Sequence, residues 1–216
     1  MTFCEGGERE GAVSVLFDAR EDVEYSVRYG ASLFEPDVLR ALSAYLFFVK
    51  GLPSSTYTLS VNGHLTPIPV PRKSSCIFGG CIGTVGCGGE GRAADGVLFY
   101  DLLTPQGICR GTVCENVPLK DFAQVGKSLI RLGAPGGITA AFSLAKLSDG
   151  YGICVAQTMS ARGLCAPICA AAYLIYRLYG EDKCHIVIGE YESYCTVTPG
   201  GVSVFDRNLK VSQVLA

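Results

Sequence analysis

The sequence predicts an α+β protein of two pseudo-symmetric halves, each a curved, mostly antiparallel sheet wrapped around one buried central helix. Three observations carry that expectation. Segments 35–50 and 165–179 have helical start and stop signals yet are apolar nearly all round, so each needs walls on every side. Each follows an alternating strand and runs into a strand pair, and a curved sheet supplies such walls. Finally, Ser43-Ala44-Tyr45-Leu46-Phe47-Phe48-Val49-Lys50-Gly51 lines up with Ala171-Ala172-Tyr173-Leu174-Ile175-Tyr176-Arg177-Leu178-Tyr179, with Tyr45 falling on Tyr173, an offset of 128 residues. Residues 1–75 are assigned to the first half and 76–216 to the second.

The elements follow in order. Residues 11–17 and 23–29 read as strands, the second with clean alternation, joined by a charged turn. Glu35-Pro36-Asp37 then opens a helix: proline suits the first helical position and the carboxylates suit its positive end. Lys50-Gly51 closes it. Thr56-Tyr57-Thr58-Leu59-Ser60-Val61 and His64-Leu65-Thr66-Pro67-Ile68 flank Asn62-Gly63, a strong hairpin signal. Pro67, Pro69 and Pro71 with Lys73-Ser74-Ser75 suggest a linker, and the glycine-rich stretch 79–91 opens the second part. Strands are expected at 97–103, 108–114, 139–145, 151–157, 184–189, 193–198 and 201–205. Residues 118–131 have apolar positions at helical spacing, stopped by Gly133.

Composition narrows the function classes. Of 216 residues, 49% are hydrophobic and only 18% charged, which excludes a disordered chain. The net charge is −2 and no Lys/Arg stripe exists, so neither nucleic acid nor an anionic membrane is an expected partner. The N-terminal stretch is polar and acidic, unlike a signal peptide, so a cytoplasmic location and reduced thiols are expected. The 11 cysteines include Cys76, Cys81 and Cys87 at C-x4-C-x5-C and Cys165 and Cys169 at C-x3-C. None forms the tight C-x2-C pair usual in structural zinc sites, so no metal is expected. The glycine-rich stretch lacks the Lys-Ser/Thr and the following helix of a phosphate loop. His64 and His185 have no Asp or Cys at catalytic spacing.

With these residues in view, the chain resembles the diaminopimelate epimerase-like superfamily, which includes proline racemases and phenazine-type isomerases. The resemblance rests on Ala44-Tyr45-Leu46-Phe47-Phe48-Val49-Lys50-Gly51-Leu52 with its hairpin, on Thr104-Pro105-Gln106 where the epimerases have Asn-Pro-His, and on Cys165-Ala166-Pro167-Ile168-Cys169-Ala170-Ala171-Ala172. It implies two α/β halves with a small amino acid or carboxylate bound between them, and cofactor-independent isomerisation. Such chemistry moves a proton off one face of a carbon and onto the other, so it needs two opposed acid/base groups. The epimerases place a cysteine at the start of each central helix, where the dipole favours thiolate.

By that resemblance the acid/base candidates are Cys165, Asp37 and Glu35, and the substrate-binding candidates are Thr104, Gln106, Ala166 and Ser160. The pattern is nonetheless broken. No cysteine lies between Cys4 and Cys76, so the first-half thiol is replaced by Glu35-Pro36-Asp37. Phenazine-type isomerases use a carboxylate in that half. In the second half Leu164 aligns with the catalytic cysteine and Cys165 lies one residue later, and at the repeat offset Cys165 pairs with Asp37. Pro167 removes an N–H that would face an anion. Gln157-Thr158-Met159 stands where the epimerases have Glu-Arg-Gly. Three readings stay open: an isomerase with an altered acid/base pair, a catalytically inactive member that binds a ligand, or a subunit of an assembly, a homodimer included.

Overall fold

The computed structural model describes the backbone of residues 2–5, 13–20, 23–28, 35–72, 77–83, 85–94, 96–115, 118–132, 137–158, 164–206 and 213–215. Side chains are described within 38–72, 85–94, 96–115, 118–132, 137–158 and 164–205. The chain divides into two compact units, residues 1–80 with 206–216, and residues 81–205.

The first unit is built on a six-stranded sheet of β1 (Thr2–Glu5), β2 (Val13–Arg20), β3 (Val23–Arg28), β4 (Ser55–Val61), β5 (His64–Val70) and β16 (Gln213–Leu215), in the order β16-β1-β2-β3-β4-β5. Helix α1 (Glu35–Phe48) joins β3 to β4, which lie parallel. Its Val38, Leu42, Tyr45 and Leu46 are fully buried against Leu59, Val61, Ile68 and Val70 of the β4–β5 hairpin. Ser43 is also buried and donates its hydroxyl to the Pro69 carbonyl at 2.5 Å, fastening helix to strand. Helix α1 ends where Leu52 N–H folds back to the Leu46 carbonyl, with Gly51 at φ +63°. The hairpin turn holds Asn62 and Gly63 at φ +48° and +84°, the backbone that Asn-Gly favours.

The proline run behaves differently from a linker. Pro67 and Pro69 lie inside β5 and pair with Thr58 and Thr56. β5 is the edge of its sheet, where a strand tolerates prolines that cannot donate to a ladder.

The larger sheet takes the order β6-β15-β14-β13-β12-β11-β10-β9-β7, with β8 on β9. Its strands are β6 (Ile77–Gly83), β7 (Gly86–Cys87), β8 (Arg92–Ala94), β9 (Val97–Thr104), β10 (Gly107–Val113), β11 (Ile138–Leu147), β12 (Gly150–Gln157), β13 (Lys183–Ile188), β14 (Tyr191–Thr198) and β15 (Gly201–Asp206). Much of the glycine-rich stretch is thus strand. The sheet curls around α3 (Cys165–Tyr179), which touches β9, β10, β11, β13 and β14. Ten residues of α3, from Cys165 to Ala172 with Leu174 and Ile175, are buried, as its all-round apolar sequence requires. Gly180, at φ +73°, caps it. Residues 118–131 form a 3-10 turn, Leu119–Asp121, and then α2 (Phe122–Arg131), which lies on the other face against β11 and β12.

Among the described strands antiparallel ladders outnumber parallel ones, as expected, but both sheets are mixed. Three parallel pairs, β3–β4, β10–β11 and β12–β13, are each joined through one helix. A parallel pair needs a crossover, and each of α1, α2 and α3 supplies one.

Beneath α2 sits an ion pair. Arg110, 1% exposed, donates from Nε to Asp101 Oδ1 at 2.6 Å and from Nη2 to Oδ2 at 3.0 Å. Its Nη1 donates to the Leu129 carbonyl of α2 at 2.8 Å, and its guanidinium lies 4.3 Å from the Phe99 ring centre. Arg92 reaches the same carboxylate from the exposed side.

Candidate functional site

The first turn of α3 is the natural starting point. Leu164 caps it, its carbonyl accepting the Ile168 N–H at 3.0 Å. Cys165 is fully buried and Ala166 is 1% exposed. The opening N–H groups of a helix have no partner within the helix, and Pro167 contributes none. Cys165 and Ala166 therefore carry the N–H groups of that turn at the positive end of the dipole.

What lies beside this turn follows from axial rise. Leu174 of α3 packs on Gly111 of β10, whose added Cβ would come within 2.9 Å of the leucine. Nine residues back along a helix is about 14 Å, which reaches Cys165. Four residues back along a strand is about 13 Å, which reaches Gly107. Because β12 ends at the sheet end where β10 starts, and α3 follows β12, Cys165 lies towards the same end of the sheet as the turn between β9 and β10. That turn is Thr104-Pro105-Gln106-Gly107, so the structure sets Thr104, Gln106, Cys165 and Ala166 at one end of one unit.

The turn is tightly held. Thr104 donates its hydroxyl to the Gly107 carbonyl at 2.8 Å, and Gln106 is half-buried. The β10–β11 register slips between Ile108 and Cys109, which pair with Ile138 and Ala140 and leave Thr139 as an extra residue. This bulge turns the Thr139 hydroxyl towards the Ile108 carbonyl at 3.3 Å and to 3.9 Å from Cys109 Sγ. Bulges of this kind re-aim side chains. Thr158 donates both its N–H and its hydroxyl to the Thr139 carbonyl, at 3.0 and 3.2 Å. Gly107 sits at φ +122° with its missing Cβ 2.9 Å from Thr139 Cγ2, so only glycine fits there. Burial pushes the Cys109 thiol up to about 11, the hydroxyls of Thr139 and Thr104 opposing the rise.

Cys109 and Thr139 are residues that motif reading passes over. Each looks like an ordinary strand position, and the bulge that groups them has no sequence signature. Glu35 and Asp37 lie in the opening turn of α1, and their side chains are outside the described residues. Ser160 is itself outside the described residues. His64 is exposed beside its turn. His185 has Nδ1 3.0 Å from the Asp149 carbonyl and stacks on Tyr194 at 4.6 Å. Among the described residues no group of His, Cys, Asp or Glu could hold a metal, and no helix is long and apolar enough to cross a membrane.

No family model matches the chain, and no curated protein matches it. A solved structure does. A crystallised Clostridium difficile (strain 630) protein described as a phenazine biosynthesis PhzC/PhzF protein superposes with a TM-score of 0.54 over 91% of this chain and 78% of that one, at 10% identity. The chain has a PhzF-like fold. The PhzF-like likeness is one of fold, since at 10% identity little of the neighbour's sequence is retained.

Proposed function

We propose that this chain is a cofactor-independent isomerase-like protein that takes a small amino acid or carboxylate. The observation that carries the reading is the PhzF-like fold, and the topology that puts the start of α3 and the Thr104–Gly107 turn at one end of the sheet supports it. In the proposed site the N–H groups of Cys165 and Ala166 hold the ligand's carboxylate. Thr104 and Gln106, with Ser160, make polar contacts to it. Cys165 acts as one acid/base group, and Asp37 or Glu35, from the opening turn of α1, as the other. The topology supports treating the two units as related halves. Strand β3 passes through α1 into parallel β4 and a hairpin, and β12 passes through α3 into parallel β13 and a hairpin.

The experiment is proton NMR in deuterium oxide over a panel of amino acids and small hydroxy and keto acids. Turnover exchanges the α hydrogen for deuterium in at least one of them. Cys165→Ser should lower that exchange about a hundred-fold or more, the usual contribution of a positioned acid/base group. Undiminished exchange in Cys165→Ser sinks the role given to the thiol. Exchange with no panel member sinks the isomerase reading.

A second reading, binding without turnover, is favoured by the complete burial of Cys165 and by Pro167 in its turn. Line broadening of a panel member by the protein, with no loss of its α-proton signal, would select it.

A further inference from the structure

Cys184 of β13 and Cys195 of β14 stand directly opposite each other across an antiparallel ladder, and both are thiols. Residues opposed in register point to the same face of a sheet. Here it is the buried face, shared with Ile186 and Val197, on the hairpin that packs against α3. Val197 donates its N–H to the Asp182 carbonyl at 2.7 Å, so 182 and 197 are a hydrogen-bonded pair. Such pairs alternate along a ladder, which makes Cys184 and Cys195 a hydrogen-bonded pair as well, with Cα atoms about 5.5 Å apart. That separation falls within the range of about 4.4–6.8 Å that a disulfide spans. The Cβ atoms of opposed residues, however, are about 4.5–5.5 Å apart. A relaxed disulfide holds them at about 3.8 Å. A bridge can therefore close here, but only by drawing the two strands together, and strain of that kind makes a disulfide easier to reduce.

We propose that Cys184 and Cys195 form a reversible thiol–disulfide switch that closes on oxidation by a peroxide. Cys184 is 8% exposed and Cys195 2%, so Cys184 meets the oxidant first. Its thiolate attacks one peroxide oxygen, the O–O bond breaks, and a sulfenic acid and water result. The Cys195 sulfur then displaces hydroxide from the Cys184 sulfur, which leaves as water with the thiol proton. In sum two thiols and one hydrogen peroxide give one disulfide and two waters. A small thiol reverses the step by exchange, and each turn of the cycle shifts the β13–β14 wall against which α3 packs.

The full chain, purified reduced, is treated natively with hydrogen peroxide, capped with N-ethylmaleimide and digested. Trypsin cuts after Lys183 and Arg207 and leaves both cysteines on one peptide, so glutamyl cleavage at Glu190 and Glu192 is added to separate them. The expected product is two peptides joined through Cys184 and Cys195, lost when dithiothreitol precedes capping and absent in Cys195→Ala. In glutathione buffers the bridge should be half-open at ratios that leave ordinary structural disulfides closed. Two capped thiols after peroxide treatment would overturn the proposal. So would a bridge that forms only in urea, or one that native-state dithiothreitol fails to open.

Discussion

Asp101→Ala should cost the second unit about 3–5 kcal/mol, because it leaves a buried guanidinium without its counter-ion. The magnitude follows from what Arg110 keeps. At 1% exposure it cannot turn to solvent, and it loses two charge-assisted bonds of 2.6 and 3.0 Å, while the Leu129 carbonyl and the Phe99 face remain. Bonds to charged groups contribute about 1.5–3 kcal/mol each, which brackets the same figure. Asp101 is a tenth exposed, so entering water offsets part of the loss and favours the lower end. For a chain of this size 1 kcal/mol moves the melting temperature by about 2–4 °C, so a drop of roughly 6–20 °C is expected. Urea unfolding followed by far-UV circular dichroism and tyrosine fluorescence measures it, the chain having no tryptophan. Arg92→Ala, which removes an exposed partner of the same carboxylate, should cost under about 1 kcal/mol. The Asp101→Leu, Arg110→Met double variant should fall within about 2 kcal/mol of the parent, since it removes both charges together. An Asp101→Ala loss below about 1 kcal/mol, or one no larger than that of Arg92→Ala, would refute the reasoning.

Three further outcomes are expected. The Cys109 thiol is raised from about 9 to about 11, so folding holds it protonated and its contribution is complete below about pH 9 and lost as pH rises to about 11. A two-unit rise corresponds to about 2.7 kcal/mol in full, and since the folded thiol is half ionised at pH 11 the parent should lose about 2.3 kcal/mol more stability than Cys109→Ala between pH 8 and 11 in paired urea titrations. Ser43→Ala should destabilise the first unit by about 1 kcal/mol in thermal melts, leaving the half-buried Pro69 carbonyl without its hydroxyl donor. Gly150→Ala should cost more than about 3 kcal/mol or abolish soluble expression, since φ is +107° and the new Cβ would lie 2.5 Å from the His185 carbonyl oxygen. A soluble Gly150→Ala protein with parental melting temperature would show that β12 and β13 can separate there at little cost.

What a single sequence discloses here divides along a physical line. Local rules speak clearly where a residue's own backbone decides the outcome. Asn62-Gly63 sits in the turn those residues favour, Gly51 and Gly180 end their helices in the left-handed region, and α3 spans the 165–179 expected of it. Long-range pairing is where they fall silent. Nothing in residues 108–114 or 139–145 says that β10 and β11 run parallel, because direction is settled by where α2 carries the chain. Nothing in Thr139 announces a bulge, because a bulge is a mismatch between two strands rather than a property of either. Pro67 and Pro69 misled for the same reason: proline argues against a strand only if both edges are paired, and β5 has one edge open. The cysteines make the point most sharply. Spacing along the chain gave no reason to join Cys184 to Cys195, eleven positions apart, yet a hairpin register sets them face to face. Cys165, which the family resemblance singles out, is instead sealed at 0% exposure. A residue's chemistry is therefore readable only once its opposite neighbour is known, and in a curled mixed sheet that neighbour is chosen by the crossovers.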